Sequence, residues 1–67
     1  MVRQNNLKAI RNERKLSQQA VSDKANIYIR LYQYYEAGER EPGVYTALKI
    51  AEALNTTVEE LFPIEGE

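Results

Sequence analysis

A chain of 67 residues holds one small core and has little room for a deep catalytic cleft beside it. With neither cysteine nor histidine it lacks disulfides, thiolate metal sites and the usual general base, which argues against an enzyme and against a bound metal or cofactor. A hydrophobic content of 43% with 28% charged residues excludes wholesale disorder, and apolar runs of only a few residues offer no membrane span or signal peptide, so a cytoplasmic location is expected.

The net charge of −1 is not the basic balance of a nucleic-acid binder, but it is unevenly spread. Residues 1–36 carry seven cations against three acids, a net +4, and residues 37–67 carry two against seven, a net −5. Such polarity suits a molecule with one face toward phosphates and another toward solvent or a second protein; chance clustering of solvated charges produces the same pattern.

Residues 1–5 are polar and aperiodic and read as a loose arm. Asn5 or Asn6 can cap a first helix that runs to about Lys15, with Leu7 and Ile10 facing inward at i, i+3 spacing. Arg11, Arg14 and Lys15 fall in its later turns, where cations suit the negative end of the helix dipole. Leu16 packs the corner, and Ser17 is an N-cap for a second helix over 18–25 with Val21, Ser22 and Ala25 inward. Side chains this small let two helices cross closely. Asn26 tolerates the left-handed conformation that ends such a helix, and Ile27 plugs the core as the chain reverses.

The third helix is expected over 29–37, stopped by Gly38. Tyr28, Tyr32 and Tyr35, spaced by four and three, share the face that holds it to the core, with Leu31 beside it. Ile29, Arg30, Gln33 and Tyr34 remain on the open face. Residues 39–43 form a turn-rich loop in which Pro42 biases Glu41 away from helix. A fourth helix over 44–54 places Val44, Ala47, Leu48, Ala51 and Leu54 in one apolar register, and Asn55 ends it. Thr57, Val58, Glu59 and Glu60 have the T-x-x-E form of a capping box; they open a short fifth helix through Leu61 and Phe62 that Pro63 closes. An acidic tail follows over 64–67. No internal repeat or low-complexity segment is present, so a single domain spans 1–67, ordered over about 6–62 with arms at 1–5 and 63–67. Two short helices meeting at Asn26 have the spacing of a helix-turn-helix.

Leu16-Ser-Gln-Gln19, Tyr35-Glu-Ala-Gly38, Arg40-Glu-Pro42, Leu48-Lys-Ile-Ala-Glu-Ala-Leu54 and Val58-Glu-Glu-Leu-Phe62, in this order, resemble the small helix-turn-helix domains of phage lambda-type repressors, Cro proteins and bacterial Xre-type regulators. The resemblance covers about 7–62 and implies an all-α, compact five-helix lambda-repressor-like DNA-binding domain with helices 2 and 3 as the helix-turn-helix. It places Gln18, with Gln19 beside it, at the start of the second helix where side chain and backbone N–H groups meet a phosphate. Ile29, Arg30, Gln33 and Tyr34 fall at the groove-facing positions of the recognition helix. Arg30 can donate twice to O6 and N7 of guanine, worth about 1–3 kcal/mol of base discrimination. Gln33 suits adenine or a phosphate, Ile29 a thymine methyl, and Tyr34 either the groove or a protein partner. Arg40 grips the DNA backbone.

Arg11 and Glu36 resemble an internal ion pair of the family that joins the first helix to the third. The chain departs from the family pattern at Asn26, where glycine is usual, at Ser22 for a more common alanine, and at Tyr28 for a Ser or Thr cap. Glu39 and Glu41 occupy a loop that is often basic.

The resemblance implies a sequence-specific regulator of transcription that binds double-stranded DNA, a homodimeric repressor reading an inverted repeat through the major groove. Ile50, Leu61, Phe62 and Ile64 lie in the stretch that small family members use for pairing, and the same residues suit a core. A protein-interaction role, as an antitoxin or co-regulator whose acidic half engages a protein partner, is the competing expectation, with no membrane partner.

Overall fold

The computed structural model describes residues 5–64, which form five helices and, among these residues, no strand. They are α1 (Leu7–Glu13), α2 (Gln18–Ala25), α3 (Ile29–Ala37), α4 (Val44–Ala53) and α5 (Val58–Leu61). α4 packs across α2, α3 against α2 and α1, and α5 against α4. The core at their centre is Leu7, Val21, Ala25, Tyr32, Tyr35, Ile50, Ala51, Leu54 and Leu61, flanked by half-buried Ile10, Leu16, Ile27, Leu31, Val58 and Phe62. Ser22 and Ala25 on α2 and Ala47 and Ala51 on α4 are all buried, and small residues on both partners suit a close crossing. The hydroxyl of buried Ser22 donates to the Gln19 carbonyl at 2.9 Å and so costs little in the core.

α1 through α4 all end the same way. Lys15, Asn26, Gly38 and Asn55 each take a positive φ, between 56° and 78°. The next residue's N–H then returns to a carbonyl five positions back: Leu16 to Arg11, Ile27 to Ser22, Glu39 to Tyr34 and Thr56 to Ala51, at 2.9–3.2 Å. These are Schellman closures, which satisfy carbonyls that a helix end leaves open. Lys15 is therefore the corner itself, and α1 stops at Glu13, two residues short of the expected end.

The amino end is tied down more firmly than its composition suggests. Asn5, expected in the arm, accepts from Leu7 N–H through its side chain and donates to the Tyr35 carbonyl, both at 2.9 Å. Asn6 occupies the N-cap position of α1 without a side-chain cap bond; its side chain donates to the Glu60 carbonyl and its backbone N–H to that of Leu61. The rest of the expected amino-terminal arm, residues 1–4, and residues 65–67 of the acidic tail lie outside the described residues.

Two expected faces are corrected. Tyr28 is 83% exposed. It is the N-cap of α3 with extended backbone, φ −68° and ψ 143°, so the helical spacing that groups Tyr32 with Tyr35 does not reach it. On α4, Val44 and Leu48 are 80% and 51% exposed, whereas Ala47, Ile50, Ala51 and Leu54 turn inward. The helix carries two overlapping apolar stripes, and the one with alanines at the crossing is buried. Ile50 and Leu61, open between core and pairing in the sequence, are fully buried; Phe62 is half-buried and Ile64 exposed.

Candidate nucleic-acid interface

Ser17 starts α2: its hydroxyl oxygen accepts from Ala20 N–H at 3.0 Å. Gln18 and Gln19 follow in the same first turn, where the helix dipole is positive and an anion is favoured. Asn26 reverses the chain at φ 59°, and α3 begins at Ile29 from a Tyr28 cap whose side chain makes no cap bond. Tyr32 and Tyr35 are buried on the inner side of α3. The opposite side presents Arg30 and Gln33 exposed, with Ile29 and Tyr34 half-buried. One face of a short helix is thus anchored and the other offered, with Arg30 its single formal charge.

A polar hub behind this face fixes its orientation. Arg11 Nε donates to Glu36 Oε2 at 2.7 Å and its Nη2 to Oε1 at 3.3 Å, while Nη1 donates to the Leu16 carbonyl. Glu36 also accepts from the Tyr32 hydroxyl at 2.9 Å and from Gln18 Nε2 at 2.8 Å. Burial opposes ionisation of this carboxyl, but the hydrogen bonds from Arg11, Gln18 and Tyr32 outweigh it and hold its pKa below the ordinary value. Burial and the neighbouring carboxylate push the Tyr32 hydroxyl far above its usual range, so it remains a donor. The hydrogen bond to Glu36 raises the pKa of Arg11. One guanidinium, one carboxylate, one phenol and one amide thus join α1, α2 and α3.

The hub extends to the surface. Gln33 Nε2 donates to Gln18 Oε1 at 3.1 Å, so a residue on the open face of α3 is linked through Gln18 to Glu36. Gln18, which the resemblance assigns to a phosphate contact, bridges α2 and α3 through these two bonds. Gln19 is exposed and donates to Asp23 one turn later. Arg40, exposed after the Gly38 corner, lies over the Tyr34 ring with its Cζ 5.4 Å from the centroid.

The sequence pattern thus brings Gln18, Ile29, Arg30, Gln33, Tyr34 and Arg40 to the two helices of the motif and the corner after them. It missed the Gln18–Gln33 link, which joins residues fifteen apart and has no local signal. It also missed Arg14, whose guanidinium donates to the Leu54 and Asn55 carbonyls at 2.9 and 3.2 Å and so caps α4 instead of its own helix. Among the described residues no cluster of acidic side chains is arranged to hold a metal, and no helix is long and apolar enough to cross a membrane.

Known proteins share this fold. The model of the helix-turn-helix family HTH_3 matches residues 7–61. An uncharacterized HTH-type transcriptional regulator of Bacillus subtilis, YqaE, is 39% identical over 62 residues, 92% of this chain; the chain spans 52% of that relative's length. Among solved structures, the restriction-modification controller protein C.AhdI from Aeromonas hydrophila superposes with a TM-score of 0.80 at 28% identity, covering 85% of this chain and 86% of that one. The P22 c2 repressor, solved in complex with a synthetic operator, shares the fold at a TM-score of 0.81 and 22% identity, over 87% and 88% of the two chains. The chain belongs to the helix-turn-helix family HTH_3 and has the lambda-repressor-like fold.

Proposed function

We propose that the protein is a homodimeric repressor that reads an inverted repeat through the major groove. The observation that carries this reading is the two-sided α3: Tyr32 and Tyr35 are buried, the Arg11–Glu36 hub locks the rotation of the helix, and Ile29, Arg30, Gln33 and Tyr34 form its outward face. Arg30 reads a guanine, Gln33 an adenine or a phosphate, and Ile29 a thymine methyl. Gln18, Gln19 and Arg40 meet the backbone on either side.

One short helix spans too few base pairs for useful specificity, and a two-fold dimer doubles the site, with half-sites about one DNA turn apart. A groove of about 310 Å³ between α4 and α5, lined by Pro42, Val44, Ala47, Leu48, Val58 and Phe62 with Glu41 at its edge, supports the pairing. Exposed Val44 and Leu48 give it an apolar rim that a second copy can cover. A different protein partner on this groove, as in an antitoxin or co-regulator, is the alternative.

In vitro selection from random duplexes, followed by gel-shift titration over a salt series, tests the proposal. We expect a two-fold symmetric site bound with steep salt dependence. Arg30→Ala should relax the preference at one position of each half-site, an effect of about 1–3 kcal/mol. Selection of no duplex, or an unchanged preference in Arg30→Ala, would overturn the docking. Leu48→Gln should leave stability unchanged and shift the dimer toward monomer in analytical ultracentrifugation.

A further inference from the structure

The side chain of Arg40 follows a corner that is otherwise acidic, between Glu39 and Glu41. A long cation there has wide rotamer freedom and two carboxylates beside it in sequence, both unfavourable to a defined phosphate contact. The structure supplies a counterweight. The Gly38 corner returns Glu39 N–H to the Tyr34 carbonyl at 3.0 Å, which folds the start of the loop back over the last turns of α3. The Arg40 guanidinium then sits 5.4 Å from the centre of the Tyr34 ring, within the range of a cation–π contact. Tyr34 is half-buried and shares the outward face with Arg30 and Gln33 at i+4 and i+1. The contact therefore sets a second guanidinium at the carboxyl end of a face whose own charge, Arg30, lies about one turn earlier.

Resting on the proposed DNA-binding reading, we infer that Tyr34 is a positioning residue: its ring holds the Arg40 guanidinium at the carboxyl end of the α3 face for a DNA phosphate, and Tyr34 itself reads no base. A base-reading tyrosine and a platform tyrosine differ in what they change. The first alters sequence preference. The second alters affinity for every sequence alike, together with the salt slope, and needs the ring but not the hydroxyl.

The test uses the whole 67-residue chain and a labelled duplex recovered by selection with the unaltered protein. Arg40→Ala should flatten the plot of log affinity against log salt by about 0.9 per protomer. Tyr34→Leu should weaken binding about two- to fivefold, flatten the same plot in the same sense, and leave the selected sequence unchanged. The double variant should fall no further than Arg40→Ala alone, and Tyr34→Phe should behave as the unaltered protein. Without DNA, ring-current displacement of the Arg40 Cδ protons in NMR should persist in Tyr34→Phe and vanish in Tyr34→Leu, with the fold reported by the remaining amide spectrum. A shifted base preference in Tyr34→Leu, an unchanged salt slope, or additive losses in the double variant overturns the inference and leaves the proposed function standing. Failure of the unaltered protein to select or bind any duplex overturns both.

Discussion

The hub under α3 and the α4–α5 end of the molecule are held by different physics. In the hub, Arg11, Gln18, Tyr32 and Glu36 meet through directional hydrogen bonds of 2.7–3.3 Å. At the other end, Ile50, Leu54 and Leu61 are buried without a polar atom in their side chains, and α5 is a single turn. Directional bonds fix the rotation of a helix about its axis. Apolar packing fixes how much area is covered and tolerates small slides. The α4–α5 end also receives directional bonds, from Arg14 to the Leu54 and Asn55 carbonyls and from Asn6 to those of Glu60 and Leu61. These end on backbone, whereas the hub joins side chains beneath the outward face of α3.

The largest expected effect breaks the hub. Arg11→Met strands a carboxylate whose side chain is 7% exposed, and should cost about 3–5 kcal/mol in urea unfolding. The double variant Arg11→Met/Glu36→Leu sharpens the contrast: it should regain most of that stability while DNA affinity stays reduced, because packing replaces the energy of the pair but not its direction. Full recovery of both properties would erase the distinction between the two regions.

Leu61→Ala, at the apolar end, should cost about 2–4 kcal/mol, with no change in the sequence selected by the folded fraction. A titration offers a milder and reversible break of the hub. The folded pKa of Glu36 is depressed, so its contribution is complete above the ordinary carboxyl value of 4.5 and is lost as pH falls from there through the lowered folded value. Glu36→Gln should therefore flatten the dependence of urea midpoint on pH in that window. The smallest effect tests the caps: Ser17→Ala and Thr57→Ala should each cost about 1 kcal/mol, since the two hydroxyl oxygens accept from Ala20 and Glu60 N–H.

Helix positions, the Ser17 and Thr57 caps, the Asn26 and Gly38 corners and the two faces of α3 were legible because each rests on residues within a turn of one another. The Arg11–Glu36 pair was legible only through family resemblance, since nothing local links residues 25 apart. Tyr28 departs from its spacing because helical periodicity does not extend to the extended residue that precedes the helix. α4 misled because seven of its ten residues are apolar, Val44, Tyr45, Ala47, Leu48, Ile50, Ala51 and Ala53, so the pattern has no unique inward direction. The capping box at Thr57 is half realised: Thr57 caps Glu60 N–H, whereas the Glu60 carboxylate accepts from the Thr56 hydroxyl.

The repeated helix endings bear on how such a protein can change. α3 lies between two left-handed corners, Asn26 and Gly38, whose closing bonds are made by backbone atoms alone. The outward side chains of α3 take no part in either closure. Neither the corner closures nor the Arg11–Glu36 pair uses the side chain of Ile29 or Arg30, whereas Gln33 is restrained by its bond to Gln18. Under the proposed DNA-binding reading, Ile29 and Arg30 are positions where target preference can change without altering the bonds that close the helix, while Gln33 is keyed to Gln18 and Tyr34 to Arg40.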